Sequence, residues 1–202
     1  MNVSKWGPGT WVFLHTVVSN YPLDPKEEDK DRIKNFFKNI QINLPCKYCR
    51  DSFKVYAKYL PIESFYDSRE GLTYWLFKIH NLVNDKIFAK YEDNDFFKII
   101  KKYEGFRAKC GKMVRDDNLD KKYSSCKLKT KTVSDEFLKN YVEKTIKKYE
   151  PIANKYIKTL MNSDDNPNKE QLKYDENKLK GLILNGGGIL KKKYYIKYKK
   201  KN

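Results

Sequence analysis

The chain has 202 residues, 40% hydrophobic and 15% aromatic, enough for one core-forming domain with a small appendage. Its formal net charge of +17 is compatible with binding to nucleic acid or an anionic membrane, and more simply with a lysine-rich coding bias. No run approaches the roughly 18–20 apolar residues of a membrane helix, and Trp6-Gly7-Pro8-Gly9 interrupts any signal pattern in residues 1–20. The expectation is therefore a protein with no signal peptide or transmembrane segment, in which four cysteines point to catalysis or metal more than to a disulfide framework.

Taken in order, Trp11, Leu14, His15 and Val18 recur at helical spacing and predict an amphipathic first helix, with Gly9 or Thr10 near its cap. His15 lies on its apolar face, where a satisfied core histidine is the simpler reading. Asp24 and Pro25 are expected to begin a second helix, with Glu27, Glu28 and Asp29 favourable at its positive end and Ile33, Phe36, Phe37 and Ile40 as its buried stripe. Pro45-Cys46-Lys47-Tyr48-Cys49 opens a third, with Pro45 in the first turn and Leu60-Pro61 ending it. Both cysteines then share one face beside the unpaired N–H groups, where a thiolate is favoured. A redox pair, half a zinc site and a buried structural pair all fit that motif alone.

Ser68 is expected to cap a fourth helix with Leu72, Trp75, Leu76, Ile79, Val83 and Ile87 inward. His80, Asn81 and Asn84 make part of this helix polar where a core helix should not be; they either bond one another or face a polar ligand. Asp93 or Asp95 begins a short fifth helix through Phe96, Phe97, Ile99, Ile100 and Tyr103. Cys110 and Cys126 bracket a polar segment that a disulfide between them would tie down. Every regular element so far reads as helix, which counts against a thioredoxin-like α/β sheet and against a zinc ribbon.

Trp6-Gly7-Pro8-Gly9-Thr10-Trp11-Val12-Phe13-Leu14-His15, the CxxC pair, Trp75-Leu76-Phe77-Lys78-Ile79-His80-Asn81-Leu82-Val83-Asn84-Asp85-Lys86 and the C-x15-C pair occur in one order. Together they resemble the Erv/ALR family of FAD-linked sulfhydryl oxidases, particularly those of large DNA viruses, over about residues 3–127. The resemblance implies an all-α fold, a four-helix bundle plus a short fifth helix holding FAD. It implies Cys46 and Cys49 as the redox-active disulfide, with Cys49 against the flavin and Cys46 attacked by substrate. It implies FAD contacts from Gly7, Gly9, Thr10, Trp11, His15, Phe53, His80, Asn81, Val83, Asn84, Lys86 and Lys90, a structural Cys110–Cys126 disulfide, and no metal. The activity implied converts two thiols and oxygen into a disulfide and hydrogen peroxide.

Two departures stand out. Family members often carry arginine where Pro8 stands, and tryptophans where this chain has Asp117 and Lys121, so Lys86, Lys90 and Tyr123 become candidate substitutes at the adenosine end. No fifth cysteine exists to form a shuttle, so Cys46–Cys49 is expected to meet thiol substrate proteins directly or through a viral thioredoxin-like partner. The resemblance also implies a homodimer through the first two helices, acting in the host cytoplasm or viral factory or packaged in the virion. A zinc-binding module using all four cysteines, or a basic nucleic-acid-binding module with structural cysteines, are the alternatives.

Beyond residues 1–127, the oxidase domain by this reading, a helical extension is expected over 128–165. Ser134 starts it, Phe137, Leu138, Tyr141, Val142, Thr145, Ile146 and Tyr149 face inward, and Pro151 kinks or interrupts it. Asn162 to Asn168 reads as a linker by composition. Residues 166–202 form a lysine-rich tail, a hairpin about Asn185-Gly186-Gly187-Gly188 or disordered, with seven lysines from Lys191 onward; nucleic-acid or membrane binding there is an expectation of charge alone.

Overall fold

The computed structural model describes residues 2–87, 95–106 and 133–169, and all regular structure among them is helical. Six helices follow in order: α1 (Val3–Ser19), α2 (Glu27–Asn43), α3 (Lys47–Tyr59), α4 (Arg69–Ile87), α5 (Phe96–Glu104) and α6 (Asp135–Asn162), with a 3-10 turn at Ile62–Ser64. Among the described residues, no helix is long and apolar enough to cross a membrane.

α4 is the axis. Leu72 to Phe77 are buried without interruption, followed by Ile79 and Leu82, so this helix is covered on nearly every side, as a helix at the centre of a bundle must be. α1, α3 and α6 pack on it, α2 lies against α3, and α5 lies against α1 and α6. Trp75 anchors the middle: its indole N–H donates to the Leu60 carbonyl at 2.8 Å, and Phe37 meets the ring edge-on with centroids 4.7 Å apart. A buried indole needs such an acceptor, and the Leu60 C-cap at the end of α3 supplies one.

The expected caps at Ser68, Asp95 and Ser134 are present; their side-chain oxygens accept from the N–H groups of Gly71, Phe97 and Phe137. α1 begins earlier than its pattern suggests. Asn2 caps it, accepting from the Ser4 N–H at 3.0 Å, and the helix runs through Pro8. Pro8 cannot donate to the Ser4 carbonyl, but both residues are exposed and water can replace that bond. α6 likewise runs unbroken through exposed Pro151. α2 starts at Glu27 behind Lys26, and Pro45 precedes the cap of α3 instead of occupying its first turn.

Two side chains expected inward lie at helix ends beyond the core: Phe137 is 59% exposed and Ile87 is 55% exposed. Leu138, Val142, Tyr149, Ala153 and Leu160 of α6 belong to the same core as α1–α4. Tyr149 packs so closely on Gly71 that a Cβ there would sit 2.6 Å from its ring and 2.3 Å from the Phe65 carbonyl. The segment expected as a linker after α6 is docked instead, with Asn166 and Asn168 both buried.

Candidate active site

α3 begins at its cysteines. Cys46 is the cap residue, in extended backbone, and its sulfur accepts from the Cys49 N–H at 3.3 Å. Cys46 and Cys49 are joined by a disulfide across a Cα–Cα separation of 5.1 Å, within the range such bonds require. Arg50 of the first turn donates to the Leu44 carbonyl and holds the approach to the pair. Tyr48, between the two cysteines, is 76% exposed.

The disulfide forms one wall of a cavity of about 250 Å³ between the starts of α1 and α3 and the last turns of α2 and α4. That is just below the range of about 300–1,000 Å³ typical of small-molecule sites, and suits a flat ring system. Gly7, Thr10, Trp11, Phe53, Val83 and Lys86, six of the residues expected at a cofactor, line it with both cysteines. The walls are otherwise apolar, and Lys86 donates its ammonium to Ser52 at the edge.

Other expected residues stand back from the wall. Trp11 stacks on His80 with ring centroids 3.9 Å apart and planes 12° apart, so the two histidines lie behind it. His15 Nε2 and His80 Nδ1 are 3.1 Å apart, one donating to the other, and Tyr103 stacks on the far side of His15 at 5.0 Å. Burial, then the facing His80 and Lys102, lowers His15 to about 3. Burial and Lys102 lower His80 to about 4. Both rings are therefore neutral near pH 7. Asn81 and Asn84 are half-buried on α4, and Gly9 is exposed; none of the three borders the cavity. Lys90, Cys110, Tyr123, Cys126, the glycine tract and the lysine-rich end lie outside the described residues.

Residue patterns missed several cavity residues. Trp6 lines the cavity, and its indole N–H is buried without a hydrogen-bond partner. His15 Nδ1 is buried and unpartnered too. The orphaned Trp6 N–H in this aromatic-walled cavity favours a ligand that supplies the missing bond. Trp6 sits one helical turn before Thr10, a signal that could have found it. Ile40 of α2 and Leu44 just after it could not be found that way, because their presence depends on how α2 packs on α3.

The arrangement joins a half-buried disulfide to a partly open apolar cavity, which is what thiol–disulfide exchange coupled to a bound ring system needs. Residues 8–104 match the Erv1 / Alr family. Over 85 residues the chain is 39% identical to a probable FAD-linked sulfhydryl oxidase of Acanthamoeba polyphaga mimivirus, covering 42% of this chain and 59% of that one. It is 30% identical to a putative FAD-linked sulfhydryl oxidase of Invertebrate iridescent virus 6, covering 41% of this chain and 78% of that one. A mitochondrial FAD-linked sulfhydryl oxidase of Schizosaccharomyces pombe is 29% identical, covering 43% of this chain and 47% of that one. The chain thus spans about half the length of the mimivirus and fission-yeast relatives.

Proposed function

The chain belongs to the Erv1 / Alr family, and from that membership we propose that it is an FAD-dependent sulfhydryl oxidase, forming disulfides in substrate proteins at the expense of molecular oxygen. One observation carries the reading: the Cys46–Cys49 disulfide is a wall of the aromatic-lined cavity at the junction of α1, α3 and α4. A disulfide sulfur is not a thiolate ligand, so this arrangement favours redox chemistry over a zinc site.

The residues present fit the cofactor. Trp11, Phe53 and Val83 offer apolar surface for its rings, Thr10 and the Trp6 indole offer polar contacts, and Lys86 offers a cation. His15, His80, Asn81 and Asn84 are proposed to serve the remainder from behind Trp11, with Gly7, Gly9 and Lys90 completing the set. When bound, FAD takes the electron pair from the reduced cysteines and passes it to oxygen.

In the exchange, a substrate thiolate attacks Cys46 Sγ, the S–S bond breaks, and Cys49 leaves as thiolate. A second substrate thiolate attacks the substrate sulfur of the mixed disulfide, releasing the oxidised substrate and Cys46 as thiolate. The Cys49 N–H and the start of α3 already serve the Cys46 sulfur, so the charge that develops there is stabilised. Two thiols lose two electrons and two protons, and oxygen gains both as hydrogen peroxide.

The oxidase domain is proposed to span 1–127 with a helical extension to 165 and a Cys110–Cys126 disulfide. Exposed Val12 and Phe13 on α1, the latter beside Phe36 of α2 with centroids 6.1 Å apart, support a homodimer through these helices. The proposed substrates are thiol proteins or a thioredoxin-like carrier in the host cytoplasm or viral factory. Oxygen uptake with dithiothreitol tests the reading: the wild type, sedimenting as a dimer, should consume oxygen and form peroxide. Cys49→Ser should lose that uptake while keeping FAD, and full residual activity would overturn the role assigned to the pair.

A further inference from the structure

Beyond the segment that matches the family, the chain adds α6 and the turn after it, and this addition reaches the supports of the redox site. Asn168 is 5% exposed. Its Oδ1 accepts from the Tyr56 hydroxyl at 2.6 Å, and its amide donates to the Leu82 carbonyl at 3.3 Å. The Tyr56 hydroxyl also reaches that carbonyl, at 3.3 Å. Asn166 fixes the turn from within, accepting from the Asn168 N–H at 3.0 Å. Asp165 ties it to the end of α3, accepting from Lys58 at 2.7 Å and from the Tyr59 hydroxyl at 3.2 Å.

These bonds meet where α3 and α4 converge on the cavity. Tyr56 stands two turns beyond Cys49 and one turn beyond Phe53 on α3. The Leu82 carbonyl begins the last turn of α4, which carries Val83, Lys86 and Ile87 to the cavity wall. Both partners are almost wholly buried, so each bond must be made within the protein or lost outright.

We propose that Asn168 is a positioning residue of the redox site: through Tyr56 and the Leu82 carbonyl it sets the spacing between the disulfide-bearing helix and the cavity-lining turn of α4. The inference rests on the oxidase reading above. α6 and its turn are then part of the working unit, and the site is incomplete without them.

The test titrates flavin-free full-length protein with FAD, read as quenching of flavin fluorescence, well below each protein's melting temperature. Wild type, Asn168→Ala, Tyr56→Phe and the double variant are compared. Each single variant should weaken FAD binding about tenfold, the factor carried by one buried hydrogen-bond link. The double variant should be weakened by clearly less than the product of the two single effects, because both singles lose the Tyr56–Asn168 bond they share. Variants that melt earlier but bind FAD within twofold of wild type would overturn the inference and leave the turn merely stabilising. A wild type that binds no FAD would instead remove the oxidase reading, and this inference with it.

If the variants do not fold, wild-type hydrogen exchange decides. Coupling is reciprocal, so FAD must raise protection of the backbone amides in residues 164–169 above that of the first half of α2, which does not line the cavity. No difference between them would overturn the inference.

Discussion

At the Cys46 sulfur, two requirements coincide: it closes the disulfide, and it caps α3 by accepting from the Cys49 N–H. The cap favours negative charge on the sulfur that has to leave when a mixed disulfide is resolved. The His15–His80 pair obeys the opposite rule, since burial favours its neutral form. Both rings titrate near 6.5 when unfolded and at about 3 and about 4 when folded. Between those limits the unfolded chain holds up to two more protons, so stability is full above 6.5 and is lost as pH falls toward 4. The loss approaches about 3 kcal/mol per pH unit at its steepest. Urea unfolding between pH 7 and pH 4 measures it, and His80→Asn should roughly halve the slope. A profile unchanged by that substitution would remove the pair as its cause.

At the level of elements, Gly71 decides how α4 meets α6. In an exposed helix alanine would gain about 1 kcal/mol over glycine. Here the added carbon would lie 2.3 Å from the Phe65 carbonyl oxygen and 2.6 Å from Tyr149, closer than atoms pack. Overpacking costs about 1–3 kcal/mol, and a contact with a backbone oxygen belongs at the upper end, so sterics win by about 2 kcal/mol net. Gly71→Ala should lower the melting temperature by about 4–8 °C in a thermal scan, and an unchanged or raised value would contradict the contact. The elements themselves were largely legible: Ser68, Asp95 and Ser134 are caps by chemistry, and the α4 pattern marks a helix at the centre. The start of α1 was not legible, because Pro8 and Gly9 read as breakers while the Asn2 cap two turns earlier carries the helix through them.

Over the whole molecule, the site lies where the ends of four helices converge, and this explains which parts were readable. The disulfide and the residues of α1, α3 and α4 carry motifs, so Trp11, Phe53, Val83 and Lys86 were found and line the cavity. Ile40, Leu44 and Ser52 carry none; only tertiary packing brings them to the wall. Asn166 and Asn168 were misread because a polar run with proline looks like a linker until its amides find buried partners. The visible absorbance spectrum of the purified protein, recorded before and after dithiothreitol in an oxygen electrode, tests the central claim most directly. A yellow flavin band that bleaches with thiol while oxygen falls is the predicted result. A colourless protein that takes up no FAD and consumes no oxygen would contradict it.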